Sequence, residues 1–467
     1  MPASLNAHCS RLRIYSCPTH SRSTYSRRIG SYLRSCQIIG MIALLTACGG
    51  GGGDSSDFGR NIATSITNNT PADGVVRPAV EDSLYKPVIV DCIKIVNNRP
   101  VNACKLSALP FIGQKTSAPT KADILAQTVV SHPWMATRFS QLLDQMPNDI
   151  FLLFRGVTGV YIAADVRPSH YRSDTGAIYL DPADLWLNDS ERATISKDED
   201  FRSGFSNGLA FRSLWRYVQG NRYAYDYYPL DGPISSRSIS DIVRPMASLL
   251  FHELAHANDF MPPAFVAQVN PQLTAADATF NLQSSFISTG LRLQSPLNSQ
   301  MQYSLGRVMF HGVTATDDQK RLTAEQVGLD FAVDGASGSY NYSSQYEDVA
   351  MLFEEVMMKY HFNIDRELAF TDAPPATGAT CASYVVRWGV RNRIGDPLVK
   401  PRAQLIVNKV LGVNNDSAYF AALPVPRSMI KGVDWCNNLT ASFSSSNGGL
   451  QKMSDQPMPV RDLLPPH

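Results

Sequence analysis

The chain has 467 residues, 44% of them hydrophobic and 18% charged, which is enough apolar material for one large domain or two ordinary ones with a real core. Its formal net charge is +1, yet the first 47 residues hold six arginines (Arg11, Arg13, Arg22, Arg27, Arg28, Arg34) and no acid, leaving 36 bases against 41 acids beyond them. No basic stripe survives in the body, which argues against a nucleic-acid partner.

In chain order, an export signal comes first. Arg34 precedes the apolar run Ile38–Ala47, and Cys48 follows. Such a run is too short to cross ~30 Å of hydrocarbon as a helix but suits the apolar segment of a signal peptide. Residues 1–47 therefore read as a signal peptide with an extended start. Leu45-Thr46-Ala47-Cys48 resembles the bacterial lipoprotein signal, and the resemblance implies that Cys48 is lipidated and becomes the new first residue. The stretch Gly49–Asp57 has five glycines and small polar residues and cannot bury enough surface to fold, so residues 48–80 are expected to be a flexible tether. The expected location is the bacterial cell envelope, on the membrane through the lipid alone. Gly49 after Cys48, rather than Asp, points to the outer membrane.

Four cysteines follow, Cys92, Cys104, Cys381 and Cys436, and in an oxidising compartment an even number predicts disulfides. Cys92 with Cys104 would staple two short strands around Asn97-Asn98-Arg99-Pro100, a small β segment over 81–115. Cys381 with Cys436 would tie the carboxy-terminal region to itself. No C-x-x-C spacing supports a cysteine metal site.

Apolar spacing predicts helix from about Thr120 to Gln145, broken at His132-Pro133. Ile150–Val166 and Gly176–Leu187 are rich in β-branched and aromatic residues and read as strands of a small sheet. Leu214–Tyr228 alternates aromatic and polar residues about Gly220-Asn221, a hairpin signal whose tyrosines either pack cross-strand or line a cleft. A helix is expected over Arg244–Phe260 with Pro245 in its first turn, and another over Tyr346–Phe362. Lys400–Leu411 is also helical in pattern, and a tail over 441–467 closes the chain. The helix-sheet-helix order suggests an α+β enzyme domain over 116–440 with a small sheet.

The chemistry concentrates in Leu249–Met261, LLFHELAHANDFM. Positions i and i+4 share one helix face, so His252 and His256 can both reach one zinc ion. Glu253 projects beside that face and can act as general base on a water bound to the metal. A third protein ligand is needed. Asp259 is better placed to orient an imidazole than to ligate, and His311 and His361 have no supporting pattern. Glu347 opens the second helix and is the best candidate, with Glu354, two turns on, as runner-up. Glu347 has a competing role, since Ser344-Gln345-Tyr346-Glu347 also spells a capping box. Gly335–Ser339 misses the nucleophile-elbow pattern in its last position.

These segments resemble the gluzincin metallopeptidases, and among them the group similar to the anthrax lethal factor catalytic domain. In that group a helix-borne H-E-x-x-H is followed by a glutamate opening a later helix, with a tyrosine seven residues before it. Glu347-Asp348-Val349-Ala350 matches the start of the later string, Tyr340 stands seven before Glu347, and Asp259 agrees with the pattern; Met351 departs from it. The resemblance spans about 30 residues. It implies a zincin-like fold, a Zn2+ cofactor on His252, His256 and Glu347, and a peptide or protein substrate. Tyr340 would then donate to the oxyanion, with Tyr342 as alternative donor. A further expectation is that Gly176–Leu180 presents a sheet edge to an extended peptide. The rival reading is a catalytically inactive, zinc-containing cell-envelope binding lipoprotein, against which the retained Glu253 argues.

Overall fold

The computed structural model describes residues 75–233, 235–413, 417–441 and 455–463. The expected signal peptide, Cys48 and most of the expected tether and tail lie outside the described residues. Among the described residues no helix is long and apolar enough to cross a membrane.

The architecture is α+β, with two five-stranded sheets rather than one small sheet. The first is built from β1 (Arg77–Pro78), β4 (Thr128–Val130), β5 (Gly159–Ile162), β7 (Ala177–Leu180) and β6 (His170–Arg172), in that order across the sheet. β4, β5 and β7 are parallel, while β1 and β6 are antiparallel edges. A two-stranded ribbon, β2 (Ile95–Val96) with β3 (Arg99–Pro100), precedes β4. The second sheet runs β12 (Arg427–Ser428), β11 (Val386–Arg391), β10 (Asp365–Asp372), β8 (Phe211–Gln219), β9 (Arg222–Tyr223), antiparallel throughout.

Several expectations over the first sheet are corrected. The helix expected over 120–145 is two helices, Lys121–Ala126 and Pro133–Leu143, with β4 between them. Of the strand expected over 150–166 only β5 is extended; its start is the end of a helix, Asn148–Leu153, followed by a 3-10 turn, Phe154–Gly156. One cause serves both: the sheet is covered on both faces, Val160 and Ile162 facing the main core and Tyr161 packing with Ile89 and Ile93 behind. Every residue of β4, β5 and β7 is buried, so no alternation was available to mark them. β7 is hydrogen-bonded on both sides, so Gly176–Leu180 is not an edge; that place belongs to β6.

Both disulfides expected from the sequence are present, Cys92–Cys104 and Cys381–Cys436. Cys92 sits on a short helix, Ile89–Ile93, rather than a strand, and the turn residues are Asn97 and Asn98, both at positive φ. Asparagine tolerates that conformation better than most residues.

Two helices form the centre. The histidine helix, Ile239–Phe260, starts earlier than expected: Ser238 and Asp241 form a capping box, so Pro245 lies inside the helix. The glutamate helix, Gln345–Phe362, packs along it, burying Val349, Leu352, Phe353 and Val356 against Leu249, Leu250 and Leu254. The rings of Phe251 and Phe353 meet edge to face, centroids 6.1 Å apart. Gly156 presses against the far end of the histidine helix, where a Cβ would lie 3.0 Å from the Ala257 carbonyl. Asn258 locks that end by donating to the Leu153 carbonyl at 2.8 Å. The helix axis is thereby fixed by core burial on one side and by backbone contacts at its carboxy end.

Candidate metal centre

Helical periodicity turns His252 and His256 toward the glutamate helix, where Glu347 stands in the first turn. His252 Nε2 lies 3.1 Å and His256 Nε2 3.4 Å from the same oxygen, Glu347 Oε2. One ligating atom from each of the three residues falls within 4.8 Å of the others. His252 and His256 are 0% exposed and Glu347 2%. This group could hold a metal ion.

The capping alternative for Glu347 is not what the helix uses. Ser344 Oγ accepts from the Tyr346 and Glu347 amides at 3.2 and 3.1 Å, and the Glu347 carboxylate turns inward to the imidazoles. Glu354 is not beside the Nε2 atoms but behind the first histidine, its Oε2 3.1 Å from His252 Nδ1. Its other oxygen accepts from Ser248 Oγ at 2.6 Å and Tyr217 hydroxyl at 2.9 Å, with Arg366 Nη1 at 3.7 Å. Glu354 therefore orients the His252 imidazole, the task of a carboxylate behind a histidine that could bind metal. That task was expected of Asp259, which instead accepts from the Ser288 amide at 2.7 Å and hydrogen-bonds neither imidazole.

The electrostatics of the group are compatible with a bound cation. Burial works against a charged His252, but Glu347 and Glu354 outweigh it and hold the imidazole up at about 10. Burial pushes Glu347 up, and His256 and His252 outweigh that to hold it well below the usual carboxylate range. His256 has neither ring nitrogen hydrogen-bonded although it is fully buried, an expensive arrangement unless a cation takes one lone pair. Two imidazoles and a carboxylate are the donor set of borderline divalent ions.

Glu253 is fully buried next to His252 and close enough to raise its pKa. Tyr340 is buried too. Its ring lies over His252, centroids 6.4 Å apart and planes 21° apart, and its hydroxyl accepts from Arg202 Nη1 at 3.2 Å. Tyr342, the alternative donor, is committed elsewhere by donating to Asp334 at 2.9 Å. The loop bearing Tyr340 is tied to the glutamate helix through Asn341, which donates to Asp348 at 2.9 Å, while Asp348 pairs with Arg402. His311 contacts the Ser343 carbonyl and His361 contacts Asp149, so both stay outside the centre.

A cleft of about 520 Å³ adjoins the centre. Its walls come from Arg167–Ser169 just ahead of β6, from Lys197–Ser203, and from the tyrosines Tyr223, Tyr225, Tyr227 and Tyr228; Tyr217 and Leu249 also line it. The tyrosine ladder thus faces a cleft as well as packing with its neighbours. None of His252, Glu253, His256 or Glu347 lines it; it approaches them through Tyr217, which reaches Glu354, and Arg202, which reaches Tyr340.

Sequence reading missed Ser248, Tyr217, Arg366 and Arg202. Ser248 is one turn before His252 on the same face and was recoverable from spacing. The other three carry no local signal. No family model matches the chain, and no curated protein or solved structure matches it either.

Proposed function

We propose that the chain is a zinc-dependent metallopeptidase of gluzincin type with a zincin-like fold, hydrolysing peptide bonds at the cell envelope, where a lipid on Cys48 holds it to the membrane. The observation that carries this reading is the meeting of His252, His256 and Glu347, from two helices 95 residues apart in the ligand pair, with Glu253 beside them. Two histidines and one glutamate leave a fourth position for water, the pattern of catalytic rather than structural zinc. The parallel strands edged by antiparallel β6, next to the cleft, suit an extended peptide that binds by adding a strand.

His252, His256 and Glu347 would hold the zinc ion, which would supply Lewis acidity to a water and to the scissile carbonyl. Glu253 takes the proton from the attacking water and passes it to the departing amine. Tyr340 donates to the oxygen that gains negative charge, an interaction worth a few kcal/mol (~3) when preorganised. Glu354, as acceptor for His252 Nδ1, would keep the proton of the neutral ring on that nitrogen and so leave Nε2 to bind the ion.

The complete burial of the ligand set favours a second reading, a closed metal centre in a binding lipoprotein without catalysis. One experiment separates them. The purified protein should contain about one zinc per chain, cleave an unfolded polypeptide, and lose that cleavage to a chelator. Zinc-loaded protein whose cleavage is untouched by Glu253→Gln would falsify the peptidase reading.

A further inference from the structure

The cleft meets the surroundings of the candidate metal centre at two side chains, Tyr217 on Glu354 and Arg202 on Tyr340. Arg202 comes from Lys197–Ser203, a segment with no regular secondary structure whose neighbours Lys197, Asp198 and Glu199 are exposed, yet Arg202 itself is only 4% exposed. Asp200 braces it from within the same segment: Nε lies 3.1 Å from Oδ1 and Nη2 2.7 Å from Oδ2. The third terminal direction is used on Tyr340, with Nη1 donating to the hydroxyl oxygen at 3.2 Å and the guanidinium carbon 6.0 Å from the ring centroid. Phe310 closes the other side of that ring, edge to face at 4.8 Å. The ring is thus held on both sides, and its hydroxyl accepts from a charged donor that Asp200 braces.

We propose that Arg202 is a positioning residue: it holds the Tyr340 hydroxyl oxygen from the cleft side and so directs that hydroxyl's own proton toward the substrate oxygen at the metal centre. A phenol has one proton and accepts through its oxygen; occupation of the acceptor side by a guanidinium leaves the O–H to point elsewhere. A donor that itself accepts from a cation is also the stronger donor, because successive hydrogen bonds polarise one another. The segment that carries Arg202 lines the cleft, so a substrate bound there would meet the piece of chain that holds Tyr340.

This inference rests on the hydrolytic reading, and its test separates the two. Cleavage of an unfolded polypeptide is measured for the native chain, Arg202→Gln, Tyr340→Phe and the double variant, each zinc-loaded to the same content. Arg202→Gln is expected to lower kcat by roughly tenfold or more, and the double variant to be no slower than Tyr340→Phe alone. Losses that multiply in the double variant, or an unchanged kcat in Arg202→Gln, overturn the proposal. If Arg202→Gln does not fold, Asp200→Asn, which removes the brace without touching the guanidinium, takes its place in the cycle. An arm independent of activity uses metal-free protein labelled with 13Cζ-tyrosine. The Tyr340 resonance, assigned by its loss in Tyr340→Phe, is expected to move in Arg202→Gln, and an unmoved resonance overturns the proposal. A native chain that cleaves nothing removes the hydrolytic reading on its own, while the resonance still decides whether Arg202 orders Tyr340.

Discussion

His252 Nδ1 lies 3.1 Å from Glu354 Oε2, and that contact decides which carboxylate of the glutamate helix faces the metal position. Glu354 is committed to the back of the ring, leaving the Nε2 side to Glu347. Removing the two acids should therefore have unequal effects. Glu347→Ala is expected to abolish tight metal retention, whereas Glu354→Ala should weaken it by about 10- to 100-fold, the usual cost of losing the acceptor behind a ligand histidine. Competition titration against a chromogenic chelator reads both. The reverse order would show the ligand assignment to be wrong.

Glu253→Gln preserves size and removes the base. It is expected to keep metal content at the native level and to lower cleavage by about 10²- to 10⁴-fold, the range general-base catalysis supplies. Metal analysis and peptide cleavage on one preparation give both numbers. Loss of metal in this variant would mean that Glu253 ligates.

Metal uptake should release a proton. In the metal-free protein His252 is held protonated up to about 10 by its two carboxylates, so at pH 7 a cation must displace that proton. Titration calorimetry in buffers of different ionisation enthalpy should return about one proton per ion bound, and affinity should rise with pH across the neutral range. A heat independent of buffer would sink this account of His252.

Glu355, the next residue after Glu354, points into a dry part of the core. Burial pushes its pKa up to about 8, against the partial offset of Arg366, the Ile394 backbone and Ser337. An unfolded glutamate titrates near ~4.3, so between those values the folded chain keeps a proton that the unfolded chain gives up. Its stabilising contribution is complete below the unfolded value and is lost as pH rises through about 8. The native Tm should fall from pH 5 to 8 more steeply than that of Glu355→Gln, measured by differential scanning fluorimetry. Parallel profiles would show that Glu355 does not titrate there.

The two disulfides close loops of different length, with sequence separations of 12 and 55. On the chain-entropy account, replacing Cys381 and Cys436 by serine should cost about 1 kcal/mol more than replacing Cys92 and Cys104. Urea unfolding of the two double variants reads the difference, and equal costs would point to strain or residual structure instead.

The sequence alone determined what is local. The spacing of His252 and His256 puts them on one helix face because 3.6 residues make a turn, whatever the helix packs against. The apolar stripe of Tyr346–Phe362 announced the second helix, and the even count of cysteines beyond Cys48 announced two bridges, both found. The strands of the first sheet were largely illegible because burial on both faces erases the period of two.

Only the tertiary structure decided how distant groups meet. Glu347 and Glu354 share one face of one helix, and nothing in their spacing says which of them stands before His252 and which behind it. That choice follows from where the glutamate helix lies along the histidine helix, which Leu250, Leu254, Val349 and Phe353 set by packing. Asp259 lost its expected role for the same reason, since the Ser288 amide reaches it first. Helix periodicity is written in neighbouring residues, whereas the register between two helices is a property of their whole contact surface.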